Sequence, residues 1–410
     1  MIDAVPMEHE GQQVICLHDP AGYVEDQIAL SPPAFFVAAC LDGRRTLRDV
    51  QYAFARQFGG AIITEEQVRR IVGFLDEQGF LLSRRFEALK AETERRFGEM
   101  PVRAPRLAGS SYPENPDVLR VFLDDLFRDA GVSLDDEDAG VAPPLRCLIV
   151  PHIDFPRGAA AYAHGYRRLL QGARPDTAFV FGVSHSPAPI PFVLTRKCFA
   201  TPFGVLESDA AMVERLAGVC AWDPFAAEFL HRNEHSIEFQ AVMLARLYGD
   251  AVKIVPILCS SLTENGEGDP ESVASVSRFL EVCRECVSAS RAVVIAGADL
   301  AHVGRRFGDD FDISDSVIDA VEARDREDLN HAIACHPAAF YRSVLRDGNQ
   351  RKVCGINCIY AALKSVEGEA LEAELLHYGY APDPLGGIVS FASVAYAAPK
   401  DAGAAERNAE

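Results

Sequence analysis

The chain has 410 residues, 49% of them apolar and 24% charged, which excludes a disordered or fibrous protein over most of its length and leaves room for one large domain and a smaller one. A formal charge of −20 repels phosphate backbones and anionic lipid, so neither nucleic acid nor a membrane surface is an expected partner. No apolar run approaches the roughly 18 residues that span a bilayer. The opening residues 1–10 lack the basic start and apolar stretch of a signal peptide. Eleven cysteines scattered through apolar runs read as reduced thiols, and the expected compartment is the cytoplasm.

Residues 1–95 read as a separate unit. Gln13 to Leu17 has the pattern of a strand. Ser31-Pro32-Pro33 starts a helix through the apolar run Ala34 to Leu41, which Asp42-Gly43 stops. Thr46 caps a second helix whose Leu47, Val50, Phe54 and Phe58 recur on one face, ending at Gly59-Gly60. Thr64 to Gln67 is a capping box for a third, with Val68, Ile71, Val72 and Leu75 on one face and a stop at Gly79. Phe80-Leu81-Leu82 reads as a short closing strand. Three helices with flanking strands predict a small winged-helix-like α+β domain. Through Leu41-Asp42-Gly43, the Thr-capped helix after it and the Gln78-Gly79-Phe80-Leu81 ending, the unit resembles PqqD-like domains, which recognise peptides in peptide-modification systems. The resemblance implies a peptide or small protein as partner; nucleic acid, the usual winged-helix alternative, is disfavoured by the acidic balance.

Glu94 to Pro105 is charged, holds two prolines and shows no period, so residues 96–105 are expected to be a linker. Asp129 to Pro144, with its Asp135-Asp136-Glu137-Asp138 run, and Thr263 to Glu271 read as solvated loops. From residue 106 to 398 apolar strand-like runs alternate with helical ones. Leu145 to Val150, Thr177 to Val183, Val252 to Leu258 and Arg291 to Ala296 are short runs of buried-strand character. Ala159 to Leu170, Ser208 to Val219, Glu238 to Leu247 and Glu271 to Ser288 have helical character. The predicted fold class is α/β, a largely parallel central sheet flanked by helices. Residues 399–410 are expected to be a tail.

Open α/β sheets bind ligands beyond the carboxyl ends of their strands. Here those ends are alike: Pro151-His152-Ile153-Asp154, Gly182-Val183-Ser184-His185 and Gly297-Ala298-Asp299-Leu300-Ala301-His302. A single histidine in such a place is more often structural, but recurrence after three strands points to a metal centre, for which imidazole is a common ligand. Arg232 to Gln240 holds Glu234 and His235 just before an apolar helix. It reads equally as a helix cap, with Ser236 capping, or as acid/base and ligand-orienting groups at the same cleft. Of the cysteines, Cys354 beside Gly355 is the better ligand candidate, because glycine allows close approach. Cys283 and Cys286 sit inside a helical pattern and read as structural. No phosphate loop, dinucleotide fingerprint, His-Glu-x-x-His or Gly-x-Ser-x-Gly elbow is present, so nucleotide hydrolysis, nicotinamide chemistry and serine esterase activity lack support.

In order along the chain, Ala108-Gly109-Ser110-Ser111-Tyr112-Pro113, Val150-Pro151-His152, Gly182 to His185, Thr201-Pro202-Phe203-Gly204, Glu234 to Glu238, Asp299 to His302 and Cys354-Gly355 resemble the Memo family. With its extra N-terminal unit the chain is similar to the AmmeMemoRadiSam system protein B group. The resemblance implies a fold like that of class III extradiol dioxygenases. It further implies a metal held by His152, His185 and Cys354, with Asp299 and His302 beside it to orient ligands or move protons; His235 is read from its place in the chain as a further proton-handling, catalytic candidate. A nitrogen and thiolate set suits iron or copper, and zinc fits the same ligands. The chain departs from the pattern at Ile153-Asp154-Phe155, which adds a carboxylate near the metal, and at Ala301, where relatives often carry a hydroxyl or thiol.

Three functions follow as expectations. The first is a metal-dependent redox protein, working beside a radical S-adenosylmethionine enzyme and a small partner in a modification system. The second is a non-catalytic adaptor that binds a peptide or partner protein. The third is an extradiol-type dioxygenase, made less apt by thiolate in place of the usual ligand carboxylate.

Overall fold

The computed structural model describes every residue except 1, 10, 135–139, 264, 265, 267 and 400–410. The acidic run at 135–138, part of the 263–271 loop and almost all of the expected tail therefore lie outside the described residues. The chain divides into two units, Met1–Met100 and Pro101–Glu410.

The first unit opens with three antiparallel strands, β1 (Asp3–His9), β2 (Gln12–His18) and β3 (Ile28–Leu30), in that spatial order. Four helices follow: α1 (Pro32–Ala39), α2 (Leu47–Gln57), α3 (Glu65–Glu77) and α4 (Arg84–Glu99). Reciprocal capping boxes, Thr46 with Asp49 and Thr64 with Gln67, start α2 and α3 where the sequence places them. Val37, Val50, Phe54 and Val68 form the helical core.

One expectation fails in this unit. Phe80-Leu81-Leu82 is no strand but the turn into α4, with Phe80 and Leu81 packed against Leu75. The division between the units, at 100/101, falls inside the expected linker 96–105, whose residues belong to α4 through Glu99 and to a parallel pairing of Val102-Arg103 with Cys198-Phe199. Helix α4 is mostly charged, with a thin apolar face of which Phe97 is buried and Phe86 packs edge-on to Tyr23. It is laced by Glu92 with Arg95 and Arg96 and by Arg95 with Glu99, pairs that support a helix while hiding its apolar period.

The second unit begins with β4 (Val102–Arg103), α5 (Pro116–Asp129), β5 (Leu145–Val150), α6 (Phe155–Gln171) and β6 (Thr177–Val183). There follow β7 (Phe192–Leu194), β8 (Cys198–Thr201), β9 (Gly204–Leu206), α7 (Ala210–Ala217), α8 (Ser236–Tyr248) and β10 (Lys253–Cys259). The rest is α9 (Ala274–Ser288), β11 (Ala292–Gly297), β12 (His302–Gly304), α10 (Asp315–Ile333), α11 (Pro337–Leu345), α12 (Ile356–Lys364), β13 (Glu372–Asp383) and β14 (Gly387–Ala397). No helix among the described residues is long and apolar enough to cross a membrane.

The central sheet runs β12-β14-β5-β11-β6-β10-β7, with β13 paired to β14. Its middle strands, β5, β11, β6 and β10, are parallel, and antiparallel strands finish both sides. Successive residues of one strand enter opposite cores, as the two-residue pleat requires. Ile149, Phe181, Ile257 and Val294 pack with α9, α11 and α12, while Leu148, Val180, Leu258 and Ile295 pack with α5, α6 and α8. Both faces are covered, which is why these strands are continuous apolar runs. In register, Ile149, Ala296, Phe181 and Ile257 form one row. The three chains leaving β5, β11 and β6 therefore emerge side by side at one rim.

Candidate metal centre

The site is built on that rim. His152 follows β5, Asp299 follows β11, His185 follows β6, and His235 immediately precedes α8. Helix α8 comes close because glycines face it. A Cβ on Gly297 would meet the Ser236 carbonyl at 2.5 Å, and one on Gly182 would meet the Ser236 hydroxyl at 2.5 Å. Deeper in, the buried Gln240 amide donates to the Pro151 carbonyl at 2.8 Å and accepts from the Tyr166 hydroxyl at 2.8 Å, tying the α8 start to the His152 turn.

His152, His185 and His235 each offer a ring nitrogen within 4.8 Å of the others. Their rings pack closely: His185 and His235 stack with centroids 4.6 Å apart, and His152 stands edge-on to both at 5.0 and 5.2 Å. The buried His152 donates from Nδ1 to the Gly297 carbonyl at 2.8 Å, and His185 donates from Nδ1 to Glu234 Oε1 at 2.9 Å. That fixes the tautomer and leaves Nε2 of each with a free lone pair, the usual outer support of a ligating imidazole. His235 Nδ1 lies 3.3 Å from the same Glu234 oxygen.

Electrostatics separate the three. Burial pushes the His152 imidazole down to about 3, helped by the neighbouring His185, and burial likewise lowers His235 to about 4. Both are neutral, as a ligand must be. Burial also acts to lower His185, but the hydrogen bond and charge of Glu234 outweigh it and raise it above its ordinary value. For Glu234 the burial penalty is likewise outweighed, here by His185, and the carboxyl is held far below the usual range.

Cys354 Sγ is 3.5 Å from His152 Nε2, and its S–H reaches the Asp299 carbonyl at 3.7 Å. Burial, with Asp299 adding to it, pushes this thiol well up, so it is neutral unless a cation draws off its proton. Gly355 does permit a close approach, though of backbone: its N–H donates to the Asp299 carbonyl at 3.1 Å, where a Cβ would sit 2.5 Å from that oxygen. Asp299 Oδ1 accepts from the backbone N–H of His152 and Ile153 at 2.9 and 3.2 Å, and Oδ2 lies 3.6 Å from His152 Nε2. Burial raises its carboxyl and lowers the nearby His302.

Beyond these groups opens a cavity of about 430 Å³. His152, His185, His235, Asp299 and His302 line it, and Phe239, Phe307 and Val389 add apolar wall. Cys283 and Cys286 are buried in the core between α9 and α12, away from this cavity.

The two readings of Glu234 turn out to describe one carboxylate. It accepts from the N–H groups of His235 and Ser236 at the head of α8, as a cap does, and also holds His185 by backbone and ring. Ser236 does not cap: its hydroxyl donates to the Val183 carbonyl. Asp154, expected to add charge near the metal, lines the same cavity while it caps α6 and pairs with Arg157 at 2.6 Å. Ala301 is fully buried in an apolar cluster with Val303, Val321 and Ile388.

Sequence reasoning missed the buried polar supports. Glu238 pairs with the buried Arg103 and accepts from Tyr112 and from the N–H groups of Arg106 and Leu107. Arg103 also donates to the carbonyls of His231 and Glu234 at 2.9 Å. On the other side, Asp325 holds Arg351, Tyr378 and Ser390. The Arg351 carbonyl accepts from the His302 N–H, and Ser390 Oγ accepts from the Ala301 N–H. The alternation of carboxylates and donors along the chain carried no signal for these partners, which are far apart in sequence.

Together these features define an α/β protein with an imidazole-rich centre at the carboxyl ends of parallel strands. Residues 103–398 match the family described as Memo-like protein, and the chain belongs to that family. A MEMO1 family protein of Aquifex aeolicus is 28% identical over 382 residues, covering 93% of this chain and 95% of the relative. Others from Thermus thermophilus (29%; 65% of this chain, 74% of the relative) and Methanopyrus kandleri (26%; 72% and 98%) are also similar.

Proposed function

We propose that the second unit is a metal-binding redox protein whose centre lies at the rim of β5, β11 and β6. The observation that carries this reading is the convergence of three imidazoles within 4.8 Å, two of them with Nδ1 held by an acceptor and Nε2 left free. The donor chemistry fits iron or copper, and zinc as well. His152 and His185 would hold the ion, with His235 and Cys354 as the further donors that the geometry and the family resemblance respectively favour. When bound, such an ion supplies Lewis acidity and, for iron or copper, one-electron chemistry.

The chain's own groups have distinct tasks. Asp299 fixes the His152 turn through two backbone hydrogen bonds. Glu234 fixes His185. His302, on the cavity wall and against the Phe307 ring, is kept neutral by burial and so is able to accept a proton from a ligand. Phe239, Phe307 and Val389 exclude water from part of the wall.

Metal analysis of protein purified without chelator, alongside His185→Ala and Cys354→Ser, tests the proposal. Loss of iron or copper in the histidine variant is expected, and the serine variant reports whether sulfur belongs to the set. Unchanged metal content in both variants overturns it.

A specific observation favours an adaptor role for the first unit, the role implied by its resemblance to PqqD-like domains. Every described residue of β1 is exposed, and β1 forms the edge of its sheet, so its free backbone groups can accept an added strand. The proposed partners are a peptide and a radical S-adenosylmethionine enzyme. Co-purification of that enzyme with the full chain, abolished by Ala4→Pro and Glu8→Pro together, which share the outward parity of Pro6, is the expected result, and undiminished recovery contradicts it.

A further inference from the structure

The rim of the cavity is charged, and its charges are unevenly satisfied. Arg157 is neutralised twice, by Asp154 at 2.6 Å and by Asp383 at 3.9 Å. On the short turn from Arg305 to Phe307, Arg305 is held by Asp312 at 2.6 and 3.2 Å, facing away from the cavity residues. Asp309 is taken by Lys352 at 2.6 Å and by the Gly304 N–H. Arg306, which does line the cavity, makes no side-chain hydrogen bond, ion pair or ring contact among the described residues.

Its backbone is nonetheless fixed. The Arg306 N–H donates to the Gly386 carbonyl at 3.2 Å, and the adjoining Phe307 ring rests on Gly387, where a Cβ would lie 2.8 Å from it. Thus in a chain of net charge −20 the cavity keeps one guanidinium that no carboxylate pairs among the described residues. The same cavity carries the apolar side chains Phe239, Phe307 and Val389, with Phe239 against the His235 ring and Phe307 against His302.

We infer that the cavity binds a small organic anion with an apolar, ring-sized body, whose carboxylate or phosphate group is recognised by Arg306 while its other end faces His152, His185 and His235. The guanidinium fork matches both anions by paired hydrogen bonds. A cavity of about 430 Å³ accommodates a molecule of this size. This assignment rests on the reading of the cavity as the chemical centre, and it specifies which end of a ligand faces outward.

Calorimetric titration of the full chain, metal-loaded and chelator-treated, with 4-hydroxybenzoate, phenyl phosphate and the uncharged 4-hydroxybenzamide tests it, in wild type and in Arg306→Gln. In chelator-treated wild type, one of the two anions is expected to bind about tenfold or more tightly than the amide, and Arg306→Gln is expected to erase that advantage while leaving amide binding unchanged. The stronger anion identifies carboxylate or phosphate as the recognised group. Equal binding of acid and amide, binding of neither anion, or an advantage that survives Arg306→Gln overturns the inference. Metal content measured on the same samples separates the two failures, because Arg306→Gln leaves metal retention unchanged whether or not the anion is bound there.

Discussion

Glu234 takes both donors of His185, the backbone N–H at 3.0 Å and the ring Nδ1–H at 2.9 Å, so the imidazole is fixed in position and tautomer by one carboxylate. That carboxylate also accepts from the first N–H groups of α8, where the helix dipole favours a negative charge. Glu234→Gln keeps the shape and removes the charge. Metal affinity, measured by competition with a chromogenic chelator, is expected to fall by roughly 10- to 100-fold. Unaltered affinity would show that His185 is no ligand.

Acidification should remove the metal through His185 before the other rings. His152 and His235 stay neutral down to about 3 and 4, whereas His185 is raised above its ordinary value. A raised imidazole holds its proton to higher pH, so affinity is full above that value and declines as pH falls through it. Glu234→Gln takes away the charge that holds the proton, and the inflection in affinity against pH moves to lower pH. An inflection that stays put or moves up would contradict this assignment.

Arg103 and Glu238 are each 1% exposed and paired. Arg103→Met leaves a buried carboxylate without its cation and is expected to cost about 3–5 kcal/mol in denaturant unfolding. Adding Glu238→Gln should recover part of the loss. If the single variant unfolds like wild type, the pair does not anchor the segment before α8.

Gly297 must lack a side chain, because a Cβ there would meet the Ser236 carbonyl at 2.5 Å. Gly297→Ala is expected to destabilise by about 1–3 kcal/mol and to reduce metal retention, since the same residue's carbonyl orients His152. Stability and metal stoichiometry measured on one sample check both effects. Retained metal with lowered stability would confine Gly297 to packing.

The four parallel strands β5, β6, β10 and β11 were legible because a strand covered on both faces must be apolar throughout, whereas the short β7, β8 and β9 were not expected. The ends of β5, β6 and β11 pointed to the candidate site because parallel sheets present ligands there. His152, His185 and Asp299 came from that logic alone. Strand β14 was not expected, although it is buried along its whole length and lies between β12 and β5. Its β13 partner is joined to it by the tight turn at residues 384–386, but its pairings with β5 and β12 are between segments distant in sequence and left no local signal. Arg306, Asp383 and Phe307 carry no spacing signal, since a rim residue looks like any surface residue until the chain is folded. The charged helix α4 was not expected: most of its residues are charged and paired along the helix, and only a thin apolar face, with Phe86 against Tyr23 and Phe97 buried, marks its period.

The claim on which the account depends is that His152 and His185 bind one ion. Anomalous diffraction from crystals of iron- or copper-loaded protein, collected at the edge of the metal, tests it most directly. The account predicts a single strong peak about 2.0–2.1 Å from Nε2 of both histidines, the distance typical of a metal–imidazole bond. A peak at another place on the chain, or none at this rim in loaded crystals, would contradict it.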